Sequence, residues 1–204
     1  MLARAVTAGL LTLGFLGAQD AIYFERVFPG SRPAHFEVRL TPEGVATYRE
    51  EGEESVEHEV GPEVAVPLFE RAASLEYFAK PLASQRKVAS SGRKLLRYES
   101  GSQVRGEAVF DYTEDPIARE VATWFVRLAE TQHHLVTLER LYRFDRLGVN
   151  QALVSLEQAL ARDRLAAPAL LEPILDKIAG QERLVNLARA RAKGMLEQIR
   201  AQSR

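Results

Sequence analysis

The 204-residue sequence contains no cysteine, only four histidines and one tryptophan. Without cysteine, the chain has no disulfide, no thiolate nucleophile, no thiolate metal site and no lipid-modified cysteine. Its charges nearly cancel, with 27 basic and 28 acidic residues and a formal net charge of −1. Because the chain has no overall basic excess, we expect no nucleic acid partner.

The common catalytic and nucleotide-binding motifs are also missing. The sequence has no Gly-x-Ser-x-Gly or His-Glu-x-x-His motif, no Walker A loop and no dinucleotide-binding glycine fingerprint. A pair of Asp or Glu residues, as used by glycosidases, leaves no such signature because the two carboxylates can lie far apart in the chain. The sequence therefore argues against several enzyme classes and leaves a carboxylate-pair hydrolase open.

The first residues have the three-part pattern of a secretory signal peptide. Arg4 precedes an apolar run over residues 5–17, and the sequence becomes polar at Gln19. This run is short for a membrane span. We therefore expect residues 1–18 to be a signal peptide, cleaved after Ala18, and the protein to be periplasmic or secreted. The alternatives are an uncleaved anchor, which would then be the chain's sole membrane contact, and a buried N-terminal helix.

Apolar and polar residues alternate through much of the first half of the chain, as they do in half-buried strands. In one such segment Phe36, Val38 and Leu40 point one way, and the polar residues between them point the other. Turn residues with Pro and Gly separate the segments, which favours antiparallel pairing. The predicted strands cover residues 22–28, 34–40, 45–50, 55–60, 86–91, 94–100 and 103–112.

One segment among these strands has helical periodicity. In residues 61–78, apolar positions including Val66 and Phe69 recur at helical spacing, and Pro67 is placed near the first turn. Strands that surround one helix indicate an antiparallel sheet with one covering helix. We assign this β-rich α+β domain to residues 19–112.

The second half of the sequence is predicted to be helical. Asp115 followed by Pro116 is a start signal, since Asp caps a helix and Pro fits its first position. The apolar stripe that follows runs to about Arg146, with Gly148 marking an end or a kink. Further amphipathic segments cover residues 149–160, 167–180 and 181–201. The fold class is therefore α+β, with a C-terminal helical module, residues 113–204, made of a long helix plus a helical hairpin.

Glu130 and His133 form a Glu-x-x-His sequence, which is half of the motif that di-iron helical bundles use twice. The other half is missing because His35 and His58 fall on predicted strands. His133 and His134 also project about 100° apart on a helix. We interpret these residues as polar positions on the exposed flank of a helix, and we expect no metal ion and no cofactor.

Two segments carry opposite charge. Residues 41–70 contain nine acidic residues and one basic residue, Arg49, whereas residues 161–204 contain nine basic and five acidic residues. We interpret both as solvated faces, with electrostatic tethering between the two halves. The alternative is a docking or weak cation-binding surface for the first segment and a membrane or envelope-polymer contact for the second.

The run YFERVFPGSRPAHFEVRLTPEGVATYRE, a helix ending in LEYF and the strands after it resemble exported bacterial proteins of unknown function. Those proteins have a small β-rich domain that begins with a similar succession of strands and Pro/Gly turns. The resemblance covers about residues 22–112. It implies export and an α+β sheet domain, and it carries no catalytic residue.

Together these observations favour a non-catalytic exported binding or assembly protein of the bacterial cell envelope. We assign no catalytic, cofactor-binding or metal-binding residue. The expected partner is an envelope protein or a second copy of the chain. The alternative function is a hydrolase of an envelope polymer that uses an Asp/Glu pair.

Overall fold

The computed structural model describes residues 19–202, so the predicted signal peptide, residues 1–18, lies outside the described residues. Six strands form one sheet in the order β4-β3-β2-β1-β5-β6, and every neighbouring pair is antiparallel. The predicted α+β fold with an antiparallel sheet is confirmed. The strands are β1 Asp20–Val27, β2 His35–Leu40, β3 Val45–Glu50, β4 Val56–Glu59, β5 Arg93–Ser100 and β6 Gln103–Phe110.

Alternation along the strands gives the sheet two different faces. In β2, Phe36, Val38 and Leu40 are buried towards the helices, as predicted. The opposite face carries charged side chains that pair across strands, for example Arg39 with Glu99 at 3.1 Å. The helices therefore cover one face and leave the other polar.

The strand predicted at residues 86–91 is wrong. These residues form no strand and are exposed, and Val88 is 48% exposed. Val88 is the one large apolar side chain in this segment, and the other residues are polar or small. It therefore has no apolar face with which a strand could pack.

Helix α1, Pro62–Ser74, covers the sheet with most of the predicted apolar stripe, but not with Val66. Ala65, Leu68 and Ala72 are buried, whereas Val66 is 45% exposed. Phe69, another predicted position, packs edge-on against Tyr98 of β5 with ring centroids 5.9 Å apart, so Val66 is the predicted position that is wrong. Pro67 lies inside this helix rather than in its first turn.

Helix α2, Pro116–Phe144, begins where the sequence predicts. The Asp115 carboxylate accepts hydrogen bonds from the N–H groups of Ile117 at 2.9 Å and Ala118 at 3.0 Å. The first half of α2 packs on the sheet, where Phe125 stacks on Phe24 with ring centroids 5.1 Å apart. Residues of this half, from 118 to 129, belong to the same hydrophobic core as the sheet.

The second half of α2 joins three further helices around a second core. These are α3 Val149–Ala161, α4 Glu172–Gly180 and α5 Asn186–Gln202. Arg200, near the end of α5, pairs with Glu172 at the start of α4, so these two helices form the expected antiparallel hairpin. Among the helices within residues 19–202, none combines the length and the apolar character that a membrane span requires.

Candidate ligand-binding cleft

A cleft lies between one end of the sheet and helices α2 and α3. Its volume is about 870 Å³, which is within the size range of small-molecule sites. The ends of β1, β5 and β6 form its floor, and α2 forms one wall. The opposite wall consists of the end of α3 and the loop of residues 162–164.

Two basic residues on the floor of the cleft face the helices. In β1, Phe24 is buried in the core and Arg26 continues the same alternation. The register partner of Arg26 on β5 is Lys94, and its partner on β2 is the buried Phe36. Lys94 in turn lies opposite Phe110 of β6. Arg26 and Lys94, called here the inward cations, therefore extend the apolar face of the sheet into the cleft.

Main-chain carbonyl groups, rather than carboxylates, hold the inward cations. Lys94 Nζ donates to the carbonyl oxygens of Asp111 at 2.7 Å and Gly92 at 3.0 Å. Arg26 Nη2 donates to the carbonyl oxygen of Ser91 at 3.1 Å. The Asp111 carboxylate itself accepts from the Ser91 N–H at 2.8 Å. Neither inward cation forms an ion pair with any residue between 19 and 202.

The environment of the inward cations disfavours their charge. Burial lowers the pKa of Lys94, the positive charge of Arg26 lowers it further, and Asp111 opposes both effects. Burial also lowers the pKa of Arg26. Two half-buried cations at neighbouring register positions thus give this end of the sheet a positive charge that Asp111 offsets only in part.

Apolar groups line the space next to the inward cations. Ala122, Val126 and Ala129 follow one another at helical spacing on the face of α2 that borders the cleft. Phe36 and Phe110 lie on the floor. Because two of the three helix residues are alanine, α2 leaves room between itself and the sheet at this end.

The rim of the cleft also carries more positive than negative charge. Arg127 pairs with Asp163 at 2.8 Å, and Arg164 pairs with Glu130 at 2.8 Å. Three further rim arginines make no ion pair within the described part of the chain, namely Arg32, Arg119 and Arg162. In all, seven Lys or Arg residues and three Asp or Glu residues line the cleft.

Glu130, His133 and His134 line this cleft rather than an exposed helix flank. Glu130 pairs with Arg164, whereas His133 Nδ1 lies 3.5 Å from Glu50 of β3, so the two members of the Glu-x-x-His sequence have different partners. Burial, together with the charges of His133 and Arg164, lowers the pKa of His134 to about 4. Within residues 19–202, no three His, Asp or Glu side chains converge as metal ligands would.

The other two histidines lie away from the cleft on opposite faces of the sheet. His58 shares the core-facing side of β4, and its buried Nε2 finds no hydrogen-bond partner among the described residues. Burial lowers the pKa of this imidazole. His35 lies on the polar face and contacts Glu25 at 3.0 Å. The structure does not bring these histidines together.

The expected tethering between residues 41–70 and residues 161–204 is not borne out by ion pairs. No ion pair joins the first segment to the second as far as the structure describes them, that is, to residue 202. The basic side chains pair within the helical module instead. Arg191 contacts Glu157 at 2.9 Å, and Arg200 contacts Glu172 at 2.9 Å and Asp176 at 2.7 Å.

The inward cations were not predicted from the sequence. The signal was present in the alternation, because Arg26 falls on the same side of its strand as Ile22 and Phe24. Lys94 likewise falls on the side of Leu96. A charged residue in the apolar series of a strand marks either the edge of a core or a site. Whether the residue lies at the edge of a core or in a site depends on which helix residues pack over that part of the strand.

No protein-family model matches this sequence, and a search of curated proteins found no match.

Proposed function

We propose that the protein is a non-catalytic exported binding protein of the bacterial cell envelope, and that its cleft takes an anionic ligand with an apolar body. One observation carries this proposal. Arg26 and Lys94 face the helices at adjacent register positions, form no ion pair with a carboxylate among the described residues, and have their charge only partly offset by Asp111.

An anion between the inward cations would stabilise both. Burial lowers the pKa of Lys94, and so does the neighbouring guanidinium of Arg26, which means that the protonated amine is disfavoured in the free protein. A carboxylate, phosphate or sulfonate bound here would offset the like-charge repulsion. It would accept a charge-assisted hydrogen bond from Arg26, and one from Lys94 in place of the Lys94 bond to Ser91 Oγ at 2.9 Å. These groups are the anions that suit the site.

The apolar walls favour a ligand that is more than a small ion. Phe36, Phe110 and Val126 border the space beside the inward cations, and the volume of about 870 Å³ is far larger than a phosphate group requires. Burying apolar ligand surface there contributes about 25 cal/mol per Å². The favoured ligand therefore combines one anionic group with a hydrocarbon or aromatic body.

The three acidic residues of the cleft do not favour the alternative hydrolase. Glu130 and Asp163 pair with arginines, and the Asp111 carboxylate accepts from Ser91. Hydrogen bonds from the Ser90 side chain and from Ser91 lower the pKa of Asp111, whereas a general acid needs a raised one. Export to the envelope rests on the signal-peptide pattern of residues 1–18 and not on the cleft.

Two fluorescent probes of similar body test this proposal. 8-Anilinonaphthalene-1-sulfonate is an anion, and N-phenyl-1-naphthylamine is its uncharged relative. We expect Lys94→Met to weaken binding of the sulfonate by about tenfold to a hundredfold, because a hydrogen bond to a charged group is worth about 1.5–3 kcal/mol. Binding of the uncharged probe should change less than about twofold, since the apolar walls remain.

The matched control is Arg93→Met, which changes the neighbouring residue on the exposed, opposite side of the same strand. It should leave binding of both probes unchanged. Chemical unfolding should show that Lys94→Met still folds cooperatively, with a loss of about 1–3 kcal/mol, because the carbonyl oxygens of Asp111 and Gly92 lose their donor. Equal sulfonate affinities for the parent and the stably folded Lys94→Met variant would refute the anion site.

A further inference from the structure

Four large apolar side chains are exposed in two connections of the helical module. Phe144 is 82% exposed and Leu147 is 90% exposed, and both lie where α2 turns into α3. Val185 and Leu187, 59% and 60% exposed, lie where α4 gives way to α5. Single exposed apolar residues are ordinary, whereas a group of them marks an interaction surface.

Hydrogen bonds place the two connections at the same end of the module. Gln181, just after α4, donates through Nε2 to the hydroxyl of Tyr142 in the last turn of α2 at 3.1 Å. Arg191 in the second turn of α5 donates to Oδ1 of Asn150 in the first turn of α3 at 2.9 Å. We call the four apolar residues, Phe144, Leu147, Val185 and Leu187, the tip surface.

The turn between α2 and α3 has a defined hydrogen-bonded backbone. The Asp145 N–H donates to the carbonyl of Leu141 at 2.9 Å, and the Gly148 N–H donates to the carbonyl of Asp145 at 3.2 Å. Helix α3 then begins at Val149, which is buried in the second core. Phe144 and Leu147 therefore point outward from an ordered turn.

Arginines surround the tip surface. Arg140, Arg143, Arg146 and Arg183 are all exposed, and within residues 19–202 none of them forms an ion pair. The acidic residues nearby are Glu139, Asp145 and Glu182. Apolar side chains with a fringe of unpaired arginines are the chemistry that binds the interface of an anionic bilayer.

We propose that the tip surface docks the protein on an anionic lipid membrane, with Phe144 and Leu147 inserted among the acyl chains and the arginines at the headgroups. A second copy of the chain is a poorer occupant. A two-fold contact would bring the same arginines of both copies together, and like charges repel. Docking by the tip surface would be a membrane contact additional to the one expected from the sequence, an uncleaved signal segment, and it does not depend on the ligand in the cleft.

Vesicle co-sedimentation tests the proposal with the processed protein, its N-terminus checked by mass spectrometry. The vesicles contain phosphatidylcholine alone or phosphatidylcholine with about one third phosphatidylglycerol. We expect binding to the anionic vesicles, weakened by added salt because screening shortens the reach of the arginines. The double substitution Phe144→Ser with Leu147→Ser should weaken it at least about tenfold, since burial of these side chains drives insertion.

Replacing Arg143 and Arg146 by Gln should also weaken binding to the anionic vesicles by about tenfold or more, at about 1 kcal/mol per arginine. The matched control is Val104→Ser with Val109→Ser, two exposed valines of β6, which should bind like the parent. Equal binding by the parent and the Phe144/Leu147 variant, or no binding by the parent, would overturn the proposal. A dimer seen by light scattering and abolished by that variant would assign the surface to a second copy instead and also overturn it.

Discussion

At the scale of single residues, His134 makes the cleft sensitive to pH. Burial lowers its pKa from the ordinary value of 6.5 to about 4, helped by the charges of His133 and Arg164. The imidazole is therefore neutral at pH 7. It lines the cleft as a polar group that hydrogen-bonds without adding positive charge.

We predict that His134 destabilises the folded protein as the medium becomes acidic. Between pH 6.5 and about 4 the unfolded chain binds a proton at this residue more readily than the folded one, so stability falls as pH decreases through that window. Replacing His134 by Gln should reduce the loss of unfolding free energy between pH 7 and pH 5, measured by urea titration. In an NMR titration of the parent, the resonance that this variant lacks should move near pH 4; movement near pH 6.5 would contradict the prediction.

The residues of the cleft show what a sequence can and cannot indicate about a site. Alternation alone puts Arg26 and Lys94 on the apolar side of their strands. Pairing them requires the β1–β5 register, in which residues almost seventy positions apart become neighbours. Glu130 and His133 have the Glu-x-x-His spacing of a metal-binding half-motif. Their partners in the structure, Arg164 and Glu50, lie outside α2. Side-chain partners depend on tertiary packing, which local spacing does not encode.

At the scale of elements, the turn after α1 is the least ordinary piece of backbone. Glu76, Tyr77 and Phe78 follow one another with φ values of 54°, 56° and 66°. Left-handed backbone costs about 1–2 kcal/mol per residue for L-amino acids. Two contacts offset this cost: Phe78 is fully buried, and the guanidinium of Arg105 lies 3.5 Å from the centre of the Tyr77 ring. The turn is therefore held by β6.

We predict that Gly106 is required for this turn to lie on β6. A Cβ atom at Gly106 would overlap the Tyr77 carbonyl oxygen, so Gly106→Ala should destabilise the protein by about 1–3 kcal/mol, the usual cost of overpacking. The matched control is Gly194→Ala in α5, where nothing lies within 4 Å of the added methyl group. It should stabilise by about 0.5–1 kcal/mol through helix propensity. Urea unfolding measures both, and a Gly106→Ala variant as stable as the parent would contradict this account.

Prediction from the sequence succeeded for elements whose signals are local. The Asp115 cap and the alternation in β2 are both contained in a few neighbouring residues, and both appear in the structure. The exposure of Val66 in α1 did not follow, because Val66 shares its helical spacing with Phe69, which does pack against Tyr98 of the sheet. The left-handed turn also gave no signal, since it contains no glycine. These features are decided by what packs against the element.

At the scale of the whole molecule, α2 connects the two hydrophobic cores. With 29 residues it is about 43 Å long. Phe125 and Leu128 on its first half belong to the core of the sheet, and Leu135 and Leu138 on its second half belong to the core of the helical module. Because a continuous helix supplies side chains to both, neither core is complete without it.

We therefore predict that the two cores unfold together. Fluorescence of Trp124, the single tryptophan, reports the first core, and far-ultraviolet circular dichroism reports the helices, most of which surround the second. Both probes should give the same urea midpoint. Leu138→Ala in the second core should lower that midpoint equally for both probes, with a loss of about 2–5 kcal/mol. The exposed Val104→Ala serves as control and should change neither. A Leu138→Ala variant in which the circular dichroism transition moves and the Trp124 transition stays would show that the two cores unfold independently.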